Sequence, residues 1–520
     1  MPVRRYRFVK YIIVQAGGKG TRLGHLTRNK PKALVPIDNL PLLFHLFKKY
    51  PDKQFIIIAD YKKDVLREYL SCFAEVSYQV VDAKGAGTCA GIRDAVKLIP
   101  DKEPFLLIWS DLLLSKAFCL PRDYREGSSA KRDYVGVTSA FSCRWSFING
   151  ELFEERSDEH GVAGVFLFAE KFRLSHVPSS GEFVRWLKDS GMDMTPFDVA
   201  GIAEYGLLEN AEKRCASRWR PFNRLTFEEE VVIKEPIDEQ GRRLSKRERA
   251  WYEKVLSHGV RFIPRICSLD PLRMERLIGG CVHEIELGRE EKSQLLKAIV
   301  GDLGDLHALD SVPADRSSVI EAYYIKTMDR LSKVRRLIPY SEDEVITVNG
   351  KLCRNIFFHE REFEQLISTI CCERFALIHG DCTFSNIMRR ADGTPVMLDP
   401  RGYFGHTELY GDERYDWAKL YYSIVGNYDQ FNLKRFNLDI GGKNGSRETR
   451  LPEGEVCVSI VSNGWEELED EFFELTESDT REIRLIHAII WLSLTTYAWP
   501  DYDSICAAFY NGLFYLEDVL

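Results

Sequence analysis

Residues 11–20 read YIIVQAGGKG, a β-branched apolar run that leads directly into a cluster of glycines. Three further apolar runs follow, at residues 55–59 (FIIIA), 76–81 (VSYQVV) and 105–109 (FLLIW). Helical patterns lie between these runs, and apolar strands that alternate with helices predict a parallel sheet covered on both faces. The first part of the chain is therefore predicted to be an α/β domain, and this pattern ends near Glu212.

The glycine cluster after the first strand has the composition of a phosphate-binding turn. Its glycines, Gly17, Gly18 and Gly20, permit positive φ and allow backbone N–H groups to approach a triphosphate closely. Arg22 and Lys32 add positive charge where a pyrophosphate leaving group would develop negative charge. A glycine cluster alone is equally consistent with an ordinary turn between a strand and a helix.

The longer string around this turn is more specific. Residues 16–37 read AGGKGTRLGHLTRNKPKALVPI, which resembles the signature of the nucleotidyltransferases that make NDP-sugars and CDP-alcohols. Two later segments, 85–88 (GAGT) and 197–201 (FDVAG), resemble that family's base-contacting segment and its D-V-G segment. Asp111 follows the FLLIW strand at its carboxyl end, where open α/β sheets bind ligands.

This resemblance implies a Rossmann-like domain that transfers a nucleotidyl group. A phosphomonoester would attack the α-phosphorus of an NTP (CTP, GTP, UTP or dTTP), and pyrophosphate would leave. Arg22 and Lys32 are the implied catalytic cations, and Mg²⁺ would bind the hard carboxylate oxygens of Asp111 and Asp198. The implied nucleotide-binding residues are Gly17, Gly18, Gly20, Thr21, Gly87 and Thr88.

A second motif lies in the other half of the chain. Residues 379–386 read HGDCTFSN, in which Asp381 lies five residues before Asn386. A kinase catalytic loop spaces its base aspartate and its metal-binding asparagine in this way. An apolar strand and then Asp399, in the string LDPRG, follow the motif.

This second pattern resembles the aminoglycoside phosphotransferase and choline kinase superfamily, whose members share the bilobal protein-kinase-like fold. The resemblance implies phosphoryl transfer from ATP to a hydroxyl group of a small molecule. Asp381 would accept or orient the hydroxyl proton, and Asn386 and Asp399 would hold Mg²⁺.

The nucleotide-binding parts of such a kinase are expected upstream of the motif. Lys234, at the end of the strand VVIK, resembles the lysine that contacts the α- and β-phosphates. Glu248 is its expected ion-pair partner, with Glu253 as the competing candidate, and Glu275 lies in a segment that resembles the adenine-binding hinge. No GxGxxG loop precedes Lys234, and residues 217–223 read SRWRPFN instead.

Composition excludes several classes of protein. The chain has 520 residues, of which 45% are hydrophobic and 29% charged, so it is expected to fold and not to be disordered. Its net charge of −8 gives no general attraction to nucleic acid. An anionic substrate must therefore be drawn by local positive charge, which is expected from Lys234 with Mg²⁺ in the second half of the chain and from a basic cluster in the first half, Lys19, Arg22, Lys30 and Lys32. Thirteen cysteines without a CxxC pair favour a reducing compartment. No run approaches about 18 apolar residues, so we expect a cytoplasmic protein without a membrane span.

The motifs divide the chain into two predicted domains. A nucleotidyltransferase domain covers residues 1–212, and a kinase-like α+β domain covers residues 216–520, with an N-lobe at about 216–280 and a C-lobe at about 281–520. Because a kinase makes a phosphomonoester and a nucleotidyltransferase activates one, we expect a bifunctional enzyme in which the first product is the second substrate. Such activated products feed the assembly of surface polysaccharide, including capsule, or of lipid headgroups.

Two classes of acceptor stay open. A sugar or polyol would give an NDP-sugar, whereas an amino alcohol such as choline would give a CDP-alcohol through phosphocholine. The string at 16–37 is closer to the sugar nucleotidyltransferases and favours the first class. Recognition of a quaternary ammonium group would need an aromatic cage, for which Tyr422 and Tyr428 are among the candidates. A further alternative is that one domain is inactive and regulatory, although the motif residues of both are present.

Overall fold

The computed structural model describes residues 9–126, 132–215, 222–442 and 451–520. The chain folds into two compact units, the first made of Met1–Ser217 and Pro500–Asp503 and the second of Arg218–Trp499 and Ser504–Leu520. Residue 216, the predicted start of the second domain, lies outside the described residues. Residues 217–221, which are most of the stretch that stands in place of a glycine-rich loop, also lie outside the described residues. The domain limits read from the sequence therefore stay a prediction.

Short strands and helices alternate along the first unit. Its strands are β1 (Tyr11–Gln15), β2 (Pro36–Ile37), β3 (Leu40–Pro41), β4 (Gln54–Ala59), β5 (Ser77–Asp82), β6 (Phe105–Trp109), β7 (Leu112–Leu114), β8 (Tyr134–Thr138), β9 (Ser146–Ile148), β10 (Glu151–Phe153), β11 (Gly161–Phe168), β12 (Thr195–Asp198) and β13 (Ile202–Glu204). Its helices are α1 (Leu42–Lys49), α2 (Lys63–Phe73), α3 (Ile92–Lys97), α4 (Arg122–Glu126), α5 (Phe183–Ser190) and α6 (Leu208–Cys215).

Most of these strands form one mixed sheet. Within the described residues the sheet has nine strands, in the order β10-β9-β11-β6-β1-β4-β5, with β8 paired to β11 and β12 paired to β8. Strands β6, β1, β4 and β5 are parallel, as the apolar runs predict. Strand β11 runs antiparallel to β6, so the predicted parallel strands form part of a mixed sheet. The fully buried run of β11, GVAGVFLF, carries no information about its direction, because an apolar run only indicates burial on both faces.

The parallel part of the sheet is packed against helices in the manner of a Rossmann-like fold. Ile13 of β1, Ile58 of β4 and Leu107 of β6 form one buried core with Ile92 of α3 and Phe183 of α5. Because these strands are parallel, their carboxyl ends meet at one edge of the sheet, which is where open α/β sheets bind ligands.

The second unit begins with strands and continues mainly with helices. Its strands are β14 (Asn223–Phe227), β15 (Val231–Pro236), β16 (Ile266–Leu269), β17 (Leu272–Glu275), β18 (Ser311–Pro313), β19 (Val345–Val348), β20 (Lys351–Arg354), β21 (Arg374–Leu377), β22 (Ile387–Arg389), β23 (Pro395–Met397), β24 (Tyr403–Phe404), β25 (Thr407–Glu408), β26 (Tyr410–Gly411), β27 (Phe436–Ile440) and β28 (Glu455–Ile460). The helices are α7 (Glu239–Leu256), α8 (Arg289–Leu309), α9 (Arg316–Ile320), α10 (Lys326–Val334), α11 (Glu360–Thr369), α12 (Glu413–Ile424), α13 (Tyr428–Asn432), α14 (Glu469–Thr476), α15 (Thr480–Leu494) and α16 (Tyr502–Leu516).

An antiparallel sheet and one long helix open the second unit. The order of the strands in this sheet is β14-β15-β17-β16. Helix α7 follows β15 and buries Trp251, Tyr252 and Val255 on one face. Farther along the chain α12 packs against α15, and both are almost wholly buried. This is an α+β arrangement, and its kinase-like identity stays a prediction. Across the described residues, no helix combines the length and the apolar composition that a membrane span requires.

Candidate active sites

The glycine turn of the first unit lies directly after β1. Gly17 and Gly18 precede Gly20, and Thr21 begins a 3₁₀ helix, Thr21–Thr27. Gly20 has φ = 65°, a left-handed conformation that glycine adopts without strain. The Thr27 hydroxyl donates to the Gly20 carbonyl oxygen at 3.1 Å, which closes the turn.

The second glycine segment lies beside the first. Gln15, at the end of β1, donates from Nε2 to the Thr88 carbonyl oxygen at 2.8 Å. Gly87 has φ = 86°, and a Cβ there would lie 2.4 Å from the carbonyl oxygen of Gly181, so the close approach of these two loops requires glycine. The Thr88 hydroxyl accepts from the backbone N–H of Phe183 at 2.8 Å and thus also fixes the start of α5.

Four charged side chains meet at the carboxyl edge of this sheet. Lys32 pairs through Nζ with Oδ2 of Asp111. Strands β13 and β7 pair antiparallel, and Glu204, the last residue of β13, lies opposite Leu112. Leu112 is the residue that follows Asp111 in the chain. Its Oε1 lies 3.6 Å from Nη2 of Arg22. The sequence-predicted cations Arg22 and Lys32 are therefore each matched to one carboxylate.

The two carboxylates of this cluster influence each other. Burial and then the negative charge of Asp111 raise the pKa of Glu204, and Lys32 and Arg22 act in the opposite direction. A pair of neighbouring carboxylates in a partly buried position is stabilised by a divalent cation, and oxygen donors are the ligands that Mg²⁺ prefers. Asp111 and Glu204 therefore fit a Mg²⁺ site.

Asp198 lies at a different place on the sheet. It is the exposed last residue of β12, and β8 and β11 separate β12 from β6, the strand that precedes Asp111. No hydrogen bond or ion pair within the described part of the chain joins Asp198 to Asp111, so the expected Asp111–Asp198 metal pair stays a prediction. Sequence reasoning missed Glu204, because only the return of β13 along β7 brings it to Asp111.

The expected role of Lys30 is contradicted by its surroundings. Lys30 is 2% exposed, and its Nζ lies 2.8 Å from Oδ1 of Asp501 and 2.5 Å from Oδ2 of Asp503, both of which belong to the first unit. Burial alone would lower the pKa of Lys30, but these carboxylates raise it above its ordinary value. Lys30 is thus a buried structural cation and does not draw an anionic substrate.

The second unit contains a buried ion-pair cluster around Lys234. The Nζ of Lys234 lies 2.8 Å from a carboxylate oxygen of Glu248 on α7 and 2.8 Å from Oδ1 of Asp399. Lys234 is 7% exposed and Glu248 5% exposed, so these charges are shielded from solvent. Burial would lower the pKa of Lys234, but Asp399 and Glu248 raise it. Glu253, the competing candidate, is exposed.

The HGDCTFSN segment brings Asp381 and Asn386 together. The Asn386 side-chain NH₂ donates to the Asp381 carbonyl oxygen at 2.8 Å and to its Oδ2 at 3.1 Å. The Nζ of Lys419 lies 2.9 Å from Oδ1 of Asp381. Burial would raise the pKa of Asp381, but Lys419 and then Arg401 lower it, so the carboxylate is ionised.

The donors around this loop fit Mg²⁺. Asn386 uses its NH₂ group on Asp381, which leaves the amide oxygen as a cation ligand, and Asp399 offers a carboxylate. Asp399 has φ = 57°, a left-handed conformation that is uncommon outside glycine and frequent at functional sites. Among the residues with described positions, no group of three or more His, Cys, Asp and Glu side chains forms a metal centre of the kind that zinc requires.

A buried carboxylate holds the loop in place. Asp416, on α12, is fully buried and accepts from the backbone N–H of His379 at 2.8 Å and of Gly380 at 2.6 Å. The Nε2 of His307 lies 3.1 Å from the same carboxylate. His379 is itself fully buried, and burial lowers its pKa, so it packs as a neutral ring.

Helix α7 is attached to the same loop. The Nε1 of Trp251 donates to the carbonyl oxygen of Ile378 at 2.8 Å, and the Trp251 ring packs edge-on against His379 at 5.7 Å. The helix that carries Glu248 is therefore fixed directly to the segment that carries Asp381.

One predicted nucleotide-binding side chain has another use. Oε1 of Glu275 accepts from Nη2 of Arg390 at 2.5 Å and from the backbone N–H of Arg265 at 3.1 Å. A cavity of about 260 Å³ in the second unit is lined by Lys234, Glu248, Asp381 and Asp399, among other residues. The described lining of this cavity does not include Glu275.

Comparison with known proteins concerns the first unit. Residues 11–129 match the family model described as nucleotidyl transferase. Glucose-1-phosphate cytidylyltransferase from Salmonella typhimurium is 44% identical over 62 residues, which are 11% of this chain and 24% of that protein. UTP–glucose-1-phosphate uridylyltransferase AglF from Haloferax volcanii is 38% identical over 60 residues, 11% of this chain and 25% of that protein.

The similarity is local in each of these proteins. The chain spans about a quarter of the length of the curated relatives named here, including 27% of Bifunctional protein GlmU from Methanococcus maripaludis. Among solved structures, HddC from Yersinia pseudotuberculosis is 18% identical with a TM-score of 0.34, over 40% of this chain and 98% of that one. The N-terminal part of the chain thus carries a nucleotidyl transferase domain that resembles sugar-phosphate nucleotidyltransferases.

Proposed function

We propose that the first unit transfers a nucleotidyl group from an NTP to a sugar phosphate and releases pyrophosphate. The observation that carries this proposal is the cluster of Lys32 with Asp111 and of Arg22 with Glu204, next to the glycine turn. The relatives named above that act on glucose 1-phosphate support a sugar phosphate as the acceptor.

The residues of this cluster divide the work between them. The acceptor's phosphate oxygen forms a bond to the α-phosphorus, and the bond between the α-phosphorus and the pyrophosphate oxygen breaks. Arg22 and Lys32 neutralise the charge that develops on the leaving pyrophosphate. Asp111 and Glu204 would hold Mg²⁺, which when bound neutralises phosphate oxygens and orients the reactants.

Pyrophosphate release tests this function. Full-length protein is given Mg²⁺, glucose 1-phosphate and each of CTP, GTP, UTP and dTTP. Lys32→Gln should lower kcat by about 100-fold to 1,000-fold, as removal of a preorganised charge contact does. Lys97→Gln, which removes the same charge from an exposed surface pair, is the matched control. Full activity in Lys32→Gln would contradict the proposal.

The choice between Glu204 and Asp198 needs a separate measurement. Mn²⁺ binding, followed by electron paramagnetic resonance, should weaken in Glu204→Gln and stay unchanged in Asp198→Asn. The reverse result would favour the pairing of Asp111 with Asp198.

We further propose that the second unit is a small-molecule kinase. The observation that favours this function is the simultaneous bonding of Lys234 to Glu248 and Asp399, next to the pair of Asp381 with Asn386. In a kinase site, the lysine binds nucleotide phosphates, and Asn386 and Asp399 would hold Mg²⁺. Asp381 accepts the proton of the acceptor hydroxyl while its oxygen attacks the γ-phosphorus and ADP leaves.

Phosphorylation of an acceptor panel tests the kinase function. ADP release and ³¹P NMR would follow reactions of the full-length protein with ATP, Mg²⁺ and sugars, sugar derivatives or amino alcohols. Asp381→Asn should abolish product formation, whereas Asp470→Asn, an exposed carboxylate on α14, should not. Retention of full activity in Asp381→Asn would show that the second unit is not a kinase of this type. It would also revive the alternative of a regulatory domain.

The two activities together suggest a reaction sequence. A phosphomonoester made by the second unit is the class of substrate that the first unit consumes, and the product would be an activated precursor for surface glycan assembly. In a single reaction with ATP and the preferred NTP, ³¹P NMR should show a pyrophosphate-linked product from the unphosphorylated acceptor. Asp381→Asn should remove this product, and addition of the phosphomonoester should restore it.

A further inference from the structure

The cavity of the second unit carries an unusual concentration of basic side chains next to Asp381. Four basic side chains line it next to Asp381, namely Lys326, Arg330, Arg401 and Lys419. Lys326 and Arg330 lie four residues apart on α10, so that one helix face presents both. Arg401 follows Asp399 by two residues, and Lys419 lies on α12.

The partners of these cations are mostly neutral. Lys419 pairs with Asp381 at 2.9 Å. Arg401 donates to the phenol oxygens of Tyr415 at 2.9 Å and Tyr403 at 2.7 Å. Arg330 donates to the carbonyl oxygen of Ser493 at 2.6 Å. Of the carboxylates in the described lining of the cavity, Glu248 and Asp399 pair with Lys234, which leaves Asp381 to these four basic side chains.

Ion pairs with carboxylates do not balance the charge of the other three basic side chains. Within the described part of the chain, no Asp or Glu oxygen forms an ion pair within 4.0 Å of Lys326, Arg330 or Arg401. Glu321 is the carboxylate whose charge reaches Lys326, from beyond that distance. Burial and then Arg401, Arg330 and Lys419 hold the pKa of Lys326 well below its ordinary value. The cations repel one another, and an anion among them would relieve that repulsion.

The same contacts argue against a cationic acceptor. An aromatic cage for a quaternary ammonium group needs open ring faces. Here Arg330 lies over Tyr497 at 5.1 Å, and Lys419 lies over Tyr415 at 5.9 Å and over Tyr422 at 5.6 Å. The protein's own cations thus already lie over the rings of three tyrosines that line the cavity.

We propose that the acceptor of the second unit is an anionic hydroxyl compound, whose phosphate or carboxylate group binds among Lys326, Arg330 and Arg401 while its hydroxyl group faces Asp381. The proposal rests on the kinase function proposed above and specifies its substrate class. The acceptor's oxygen forms a bond to the γ-phosphorus, the bond from the γ-phosphorus to ADP breaks, and the hydroxyl proton moves to Asp381. The anionic group takes no part in bond making and serves to place the hydroxyl.

The first test uses inorganic phosphate as the probe and needs no known substrate. Full-length protein is saturated with Mg²⁺, CTP and a non-hydrolysable ATP analogue, and its Tm is measured in phosphate and in chloride of equal ionic strength. Phosphate at about ten times its Kd should raise the Tm of wild-type protein by about 2 °C. The shift should disappear in Arg330→Gln and persist in Lys333→Gln, an exposed lysine on the same helix. An absent shift, or an equal shift in Arg330→Gln, would overturn the proposal.

The second test distinguishes an effect on acceptor binding from an effect on ATP binding. It also distinguishes an acceptor that carries a phosphate from one that carries a carboxylate. Matched acceptors are glucose, glucose 6-phosphate, glucuronate and choline, with ADP release as the readout and Asp381→Asn as the blank. We expect kcat/KM for one anionic member to exceed that for glucose at least 10-fold, and Arg330→Gln to raise the KM of that acceptor without changing the KM of ATP. A raised KM of ATP alone, or Asp381-dependent preference for glucose or choline, overturns the anionic acceptor and leaves the kinase function intact. A phosphate shift without Asp381-dependent phosphorylation of any acceptor removes the kinase function and the acceptor assignment together.

Discussion

Replacement of Asp416 by asparagine should loosen the HGDCTFSN segment without altering its sequence. The Asp416 carboxylate is fully buried and receives three hydrogen bonds, from the backbone N–H groups of His379 and Gly380 and from His307, at 2.6 to 3.1 Å. An asparagine has the same shape but only one acceptor oxygen, and its NH₂ group would face a second donor.

The size of the effect follows from the bonds that are lost. A hydrogen bond to a charged group contributes about 1.5 to 3 kcal/mol. Oδ2 receives the bonds of His379 and His307, so an amide oxygen in its place keeps these two bonds, and the bond from Gly380 to Oδ1 is lost. Loss of one bond should therefore lower the free energy of local opening by about 1.5 to 3 kcal/mol. At about 1.4 kcal/mol for each factor of ten, amide exchange in this segment should accelerate by at least about 10-fold.

Hydrogen exchange followed by mass spectrometry of the peptide that contains His379 and Gly380 measures this acceleration directly. Glu413→Gln is the matched control, because Glu413 lies exposed in the first turn of the same helix. Exchange in Asp416→Asn within threefold of the wild-type rate would refute the reasoning, because it would show that the carboxylate does not hold the segment.

Three further changes test separate parts of the second unit. Burial lowers the pKa of His487 to about 3, whereas the unfolded residue titrates near 6.5. The free energy of unfolding should therefore fall by about 1.3 kcal/mol between pH 7 and pH 5.5. In urea unfolding, His487→Gln should lose this part of the pH dependence, and an unchanged pH dependence would contradict the prediction. Burial and then Asp305 raise the pKa of Asp302 to about 6. Asp302→Asn should therefore raise the Tm at pH 7, by an amount that shrinks as the pH falls toward 4. A lower Tm of Asp302→Asn at pH 7 would be evidence against this prediction. Trp251→Phe leaves the Ile378 carbonyl oxygen without its donor and should reduce the free energy of unfolding by about 1 to 3 kcal/mol in urea titration, whereas a loss below about 0.5 kcal/mol would count against the bond.

Local patterns were sufficient for much of the first unit. The apolar runs predict β1, β4, β5 and β6, because a buried parallel strand is marked by its own composition. The string at 16–37 points to Lys32 and Arg22 for the same reason, since the residues of that turn are neighbours in sequence. The direction of β11 and the position of Glu204 depend on which strands pair, and no local composition encodes that pairing.

The second unit divides in the same way. The resemblance to small-molecule kinases led to the expected contact of Lys234 with Glu248, and one strand and the helix that follows it carry both residues. The four basic side chains next to Asp381 could not be found from sequence, since α10, α12 and the segment after β23 contribute them separately. In the first unit, the prediction that Lys30 attracts a substrate is wrong, because its two carboxylate partners lie more than 470 residues away in the chain.

The bond from Trp251 to Ile378 has a consequence for how the second unit is controlled. Withdrawal of α7 would separate Glu248 from Lys234, break the Trp251 bond and remove the ring that packs on His379. A regulator that acts by swinging this helix would have to supply the cost of all three contacts at once. In the second unit Glu248 and Lys234 are therefore already in contact, and they cannot separate by movement of α7 without loss of the Trp251 contacts as well.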